Sequence, residues 1–491
     1  MASLAKKKVS VQINDTKLQI MEIKPNKIEE EITDKGPTFG CRYVQIILMM
    51  VGITLAIGMR TNLSVAIVAM TNSTASPNPN IPTYDWKNTS VILSSIFWSY
   101  ITLQVVAGYV GRTYGVKYFL LGAYIVNCIG QLLIPLAAEH LGSTGVILCR
   151  IIQGFGQSFL YPSGHVILGT WVPFEERTTL GNIMWSGIYL GSIFGSVSAG
   201  YICESWLGWP FLFYLMGSLG LAWSVLWTIF GQSSPDTHPR ITKEEKKYIQ
   251  ASLKQESNIQ IPVPWKKIFN FVPMYALLLW YFSNVWCYNT MMAEMPTYLS
   301  KVMKYSVQSS GLVASVSTAA TFVFALLTGP LSDWIIRNKY LSTVTSRRLF
   351  NSIATFGLAG CLIWLGYLEP SNPHMSILVL GLMGMVSAGI LAGGSVSHLD
   401  ISPRFSGVLF GLLNGTSQIF SIAGPLLCQW LITDLTDPLK WRMLFLGSAG
   451  FAIVGGVVYV IFITADRQPW DGPETRQSKI RKISTVSLTG I

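Results

Sequence analysis

Twelve apolar runs, each near the length of a bilayer crossing, alternate with polar segments along the 491-residue chain. A crossing helix needs about 20 mostly apolar residues at a rise of about 1.5 Å each. The first six runs fall at roughly 44–69, 90–110, 117–138, 145–171, 179–202 and 210–231. The second six fall at roughly 273–298, 310–331, 349–368, 375–397, 405–431 and 442–464. The polar stretch DTHPRITKEEKKYIQASLKQES lies between the two sets and predicts a short amphipathic helix near Lys243 to Lys254. The pattern therefore predicts an all-α membrane protein of twelve transmembrane helices in two six-helix halves. Residues 1–42 are an N-terminal tail, 43–231 the first half, 232–271 a linker, 272–464 the second half and 465–491 a C-terminal tail.

Composition sharpens this picture. Half of the residues are hydrophobic and only 12% are charged, against about 25% charged in soluble domains. The N-terminal stretch MASLAKKKVSVQINDTKLQ has basic residues but no apolar core after them, so no cleavable signal is expected. The seven cysteines lack metal-site spacing, so no zinc site or disulfide framework is implied. The net charge of +11 does not point to nucleic acid, because the basic residues gather in the loops of one side. With both termini cytosolic, about 28 of the 35 lysines and arginines are cytosolic and about five lie opposite. The sequons at Asn72 and Asn88 then fall in the first outer loop, where glycosylation is expected.

Two arginines interrupt the apolar runs of the first half. Arg60 lies near the middle of GITLAIGMRTNLSVAIVAM, and Arg150 opens CRIIQGFGQSFLYPSGHVILGTW. On a continuous helix Arg150, Gln157, Tyr161 and His165 fall within about 60° of one another, making one polar side. No Asp or Glu occurs within the six N-half spans. An arginine keeps its charge and presents a planar fork of donors suited to carboxylate or phosphate. The missing counter-charge predicts a mobile anion held by Arg60 and Arg150 in a cavity between the halves. Tyr161, Tyr189, Asn284 and Asn414 are candidates to line that cavity. Gln157 and His165 are candidates for coupling, with His165 either a titrating group or a structural hydrogen-bonder. Pro162 is expected to bend the fourth helix.

Two loops repeat a pattern. Gly108-Tyr-Val-Gly-Arg112 follows the second run, and Gly329-Pro-Leu-Ser-Asp333, with Arg337 four residues on, follows the eighth. Their matching places suggest halves related by a pseudo-twofold axis along the membrane normal. Asp333 and Arg337, with His398, Asp400 and Arg404, are expected to gate the cytosolic mouth, the last three as an ionic latch. No Walker loop, HExxH or GxSxG is present, so transport is expected to run on an ion gradient or the membrane potential.

These residues resemble the anion:cation symporter family of the major facilitators: type I sodium–phosphate cotransporters, sialin, and the vesicular glutamate and nucleotide transporters. The likeness rests on RTNLSVAIVAM, RIIQGFGQSFLYPSGH, WVPFEER, GWPFLFYLMGSLG, HPRITKEEKKYI and HLDISPR, and covers about 40–465. It implies that Arg60 and Arg150 match the family's substrate-anion arginines, and that Tyr189 and His165 line its central cavity. Two departures count. Gln157 stands where the sialin and glutamate branches carry a glutamate, and Asn284 where the glutamate carriers have an arginine. The resemblance is thus nearest the phosphate and organic-anion branch.

The expectation is an anion symporter working by alternating access, sodium-coupled or potential-driven, with no cofactor beyond a co-transported sodium ion. Two rivals stand beside it: a proton-coupled lysosomal exporter like sialin, and a non-transporting sensor on the same fold. The C-terminal Thr489-Gly490-Ile491 fits a PDZ-domain ligand, favouring the plasma membrane. Lys479, Arg481 and Lys482 precede Ser484 as a kinase site or a lipid-binding patch.

Overall fold

The computed structural model describes residues 39–71, 76–86, 88–253, 262–305, 307–369, 373–432 and 434–471. The tail 1–38, Asn72, Ser484 and the C-terminal Thr489–Ile491 lie outside the described residues.

The first half opens with α1 (Cys41–Met70), a pair α2 (Thr89–Tyr100) and α3 (Gln104–Tyr114), and α4 (Val116–Gln157). It continues through α5 (Leu160–Trp171), α6 (Arg177–Glu204) and α7 (Gly208–Phe230). The linker holds α8 (Lys243–Leu253) and α9 (Trp265–Phe269). The second half begins with α10 (Val272–Lys301), α11 (Val307–Arg337) and α12 (Thr343–Gly366). One broken span follows as α13 (Pro373–Ser387), α14 (Gly389–Ala392) and α15 (Gly394–Ile401). The last two spans are α16 (Ser406–Ser417) with α17 (Ile419–Leu431), and α18 (Pro438–Phe462).

By length and composition, seven described segments suffice to cross a membrane, or eight if α2 and α3, bent by 42°, are one span. The twelve crossings follow once packing is read. α4 reverses at Gly142, whose φ of 60° is left-handed and suits glycine. Beyond that turn its arms run antiparallel, with Gly156 against Ala123 and Gly130 against Cys149. The α4–α5 segment thus supplies two crossings. α6, α10 and the α16–α17 pair lie outside those segments. For α6 the reason is packing. Gly187, Gly191 and Gly195 lie against α1 at Met50, Thr54 and Gly58, a small-residue stripe that trades hydropathy for close backbone approach.

The linker is anchored to the first half. Glu245 of α8 accepts from the backbone N–H of Cys41 (2.9 Å) and Arg42 (3.1 Å), capping α1, while Arg42 also pairs with Glu176 (2.8 Å). A carboxylate at a helix N-terminus offsets its orphan N–H groups and its dipole. We call this end of the bundle the linker side.

The halves meet on the linker side. Gly108 packs on the Gly407 carbonyl of α16, and Gly329 packs on Thr179 and Asn182 of α6. The two repeated loops therefore make matching contacts with opposite halves. Asp333 accepts from the backbone N–H of Thr178 (3.2 Å) and Thr179 (2.6 Å), at the N-terminus of α6.

A candidate anion site between the two halves

Arg60 projects from the middle of α1. Its Nε donates to Gln157 Oε1 at 2.8 Å, and its guanidinium stacks 4.7 Å over Tyr100 and 5.6 Å over Phe97. Gln157 is held in turn, its Nε2 donating to the Ala56 carbonyl (3.0 Å) and to Asn127 Oδ1 (3.1 Å). That anchoring aims the amide oxygen at Arg60. Arg60 Nη2 is removed from water and has no acceptor among the described residues. Leaving such a donor unmet costs about 1–3 kcal/mol or more for a charged group. An anion seated there would supply the acceptor.

Arg150 also has a buried donor, Nε, without an acceptor among the described residues, but its other donors are placed differently. It is 1% exposed, and it donates to the carbonyls of Met59 (3.5 Å) and Arg60 (3.3 Å) and to Gln153 Oε1 (3.2 Å). Gln153 passes the chain to Gln131 at 2.6 Å. Arg150 therefore braces the α1 backbone on which Arg60 stands, and in this conformation it is not an open wall of the cavity. Among the described residues neither arginine forms an ion pair.

The fourth span stays helical in its backbone through the expected polar face, with Ser158 at φ −60°, ψ −25° and Phe159 at φ −81°, ψ −21°. Those two residues form a turn between α4 and α5, where Pro162 has no N–H to give the carbonyl four residues before it. Arg150 and Gln157 end α4, while Tyr161 and His165 belong to α5. Tyr161 is half-buried, stacked on Trp185 (5.4 Å) and Phe410 (6.1 Å), and edge-on to Tyr100 (6.4 Å). Arg60, Tyr100, Tyr189 and Tyr288 lie within electrostatic reach of its hydroxyl. Tyr100 and Tyr288 were not singled out from sequence, because an aromatic in an apolar run carries no mark of its neighbours.

Asn414 links the halves. Its Nδ2 reaches Tyr100 OH and Gln104 Oε1, both at 3.3 Å, and its Oδ1 accepts from Gln418 Nε2 at 3.0 Å. Gln418 continues to Ser421 (2.7 Å), and Ser421 accepts from Asn289 Nδ2 (2.9 Å). Asn284 is half-buried on α10 with no side-chain hydrogen bond among the described residues, and the link to that helix is made by Asn289 instead.

His165 meets His398. Their Nδ1 and Nε2 are 3.0 Å apart across the interface, both residues are buried, and His165 stacks on Phe410 (3.9 Å). The expected latch of His398, Asp400 and Arg404 is thereby recomposed. Asp400 pairs with Arg347 (2.8 Å) of its own half and Arg177 (3.1 Å) of the other. Arg347 also donates to Thr178 Oγ1 at 2.8 Å. Arg404 turns instead to the C-terminal segment, its backbone N–H on Asp471 Oδ1 (3.1 Å). Asp471 also accepts from Ser402 and from Arg467 (2.6 Å); burial raises its carboxyl above the ordinary range against those partners. Arg337 is exposed and forms no ion pair among the described residues. Asn88 sits just before α2, half-buried, its Nδ2 donating to Ser143 Oγ at 3.2 Å.

Comparison with known proteins places this geometry. The model of the Major Facilitator Superfamily matches residues 49–346 and 339–489. A candidate inorganic phosphate cotransporter of Drosophila melanogaster is 33% identical, over 92% of this chain and 90% of its own. Human vesicular glutamate transporter 2 is 30% identical, over 92% of this chain and 79% of its own. Human sialin is 28% identical, over 90% and 95%. The solved structure of XylE, a proton:xylose symporter bound to 6-bromo-6-deoxy-D-glucose, superposes with a TM-score of 0.64 at 15% identity. It covers 87% of this chain and 97% of that one, a likeness of fold. The chain belongs to the anion:cation symporter family of the major facilitator superfamily.

Proposed function

We propose that the protein is a secondary active transporter of inorganic phosphate or a small organic anion, working by alternating access. The observation that carries this reading is Arg60, a cation at mid-span with a buried donor that has neither an acceptor nor a paired carboxylate among the described residues. In this account the cargo anion bonds the free edge of Arg60 over the Tyr100 ring, while Arg150 keeps the α1 backbone in register beneath it. The halves, closed on the linker side by Asp400 and Asp333, then rock to open there. The name of the Drosophila melanogaster relative supports phosphate as cargo.

Coupling to sodium or to the membrane potential fits Gln157, which cannot titrate. The His165–His398 pair favours a second reading, proton coupling with an organic anion as in a sialin-like exporter. The charge distribution of the loops supports cytosolic termini. Uptake of radiolabelled phosphate and urate by proteoliposomes, under separately imposed sodium, proton and voltage gradients, tests the proposal. Uptake driven by sodium or voltage is expected. Uptake driven only by protons selects the second reading, and specific binding without flux in any condition selects a sensor.

A further inference from the structure

Where the second repeated loop carries Asp333, the first carries Arg112. Asp333 sits at the start of α6 and accepts from its backbone. Arg112 sits at the matching contact with α16, where its guanidinium lies 5.3 Å over the Phe405 ring. Its charged neighbours are Arg404, from the opposite half, and Asp471. Arg467 joins them through Asp471. Three arginines thus neighbour one carboxylate, and that carboxylate is already engaged by Ser402, the Arg404 backbone and Arg467. Arg112 Nε and Arg404 Nη1 are both shut off from water and have no acceptor among the described residues. Two like charges held together across an interface, each with an unmet donor, are stabilised when one anion bridges them.

We infer that Arg112 and Arg404, with Arg467 beside them, form a second anion site on the linker side that binds a phosphate monoester group, carried by an anionic lipid headgroup or by a free phosphate ester. Arginine suits this ligand because its planar fork matches phosphate oxygens. The cluster lies at the last turn of α3 and just before the first turn of α16, at the linker-side ends of two membrane-spanning segments. Because Arg112 and Arg404 come from opposite halves, the bridging anion also holds the linker side closed. The site is separate from Arg60, so it stands or falls independently of the cargo.

The test is thermal unfolding of the full chain in nanodiscs, made in an Arg60→Gln background so that the central site is silent. One arm compares phosphatidylcholine discs with and without phosphatidic acid. The other adds glycerol 3-phosphate to phosphatidylcholine discs. A rise in Tm with phosphatidic acid that is lost in Arg112→Gln and in Arg404→Gln supports the site with lipid as its source. The same pattern with glycerol 3-phosphate supports it with a free ester as the source. Arg112→Lys keeps the charge without the fork and is expected to retain part of the shift, which separates loss of the site from loss of the fold. If neither ligand raises Tm, or if the rise persists unchanged in both glutamine variants, the inference is overturned.

Discussion

Gln157 Oε1 lies 2.8 Å from Arg60 Nε, and Gln157 is locked in that pose by Ala56 and Asn127. A neutral amide therefore stands where a carboxylate would cancel the arginine. Gln157→Glu is expected to form a buried ion pair with Arg60 and compete with the cargo. Uptake near neutral pH should fall about tenfold, equivalent to about 1.4 kcal/mol, and recover as acid neutralises the new carboxylate. Initial rates measured across pH would check it, and a flat profile at the wild-type rate would contradict it.

Arg150 makes three contacts behind α1, two of them to backbone carbonyls. Arg150→Ala removes those donors and leaves a cavity in a buried polar cluster. We expect destabilisation of about 2–4 kcal/mol, seen as a lower Tm, together with loss of uptake. Arg60→Gln is expected to lose uptake with little change in Tm. If the two variants behave alike in Tm, the division of labour between the arginines is wrong.

Asp400 neutralises Arg177 and Arg347 together. Asp400→Asn strands two buried cations, a change that costs about 3–5 kcal/mol in buried pairs. Because Arg177 belongs to the first half and Arg347 to the second, the linker-side closure should weaken as well as the fold. Proteolytic or alkylation access from the linker side, measured beside Tm, would report both. An unchanged pattern of access would show that the closure rests elsewhere.

His165 and His398 are coupled by one hydrogen bond across the halves. Single changes to asparagine and the double change should not add, with a coupling energy of about 0.5–3 kcal/mol. Strict additivity in Tm would show that the pair does not contribute as a unit.

The fold was readable in the sequence because a bilayer imposes length and apolarity on every crossing, and the chain shows both twelve times. The short linker helix was readable too, from its periodicity, and spans Lys243–Leu253. What could not be read were partnerships between distant residues. Arg177, Asp400 and Arg347 lie in three separate loops or helix ends, and nothing local joins them. Asp471 is the clearest case: it follows the last span in a polar tail, yet it is fully buried against Ser402 and Arg404. The adjoining Trp470, an apolar residue in that polar stretch, was the one available signal. The local break at Ser158 and Phe159 was readable from Pro162, which has no N–H for the carbonyl four residues before it.

The role assigned to Arg60 is tested most directly by saturable anion uptake in proteoliposomes containing equal amounts of folded wild-type protein and Arg60→Gln. The variant is expected to keep its Tm and to lose saturable uptake of every anion the wild type carries. Uptake by Arg60→Gln with the wild-type rate and KM would contradict it.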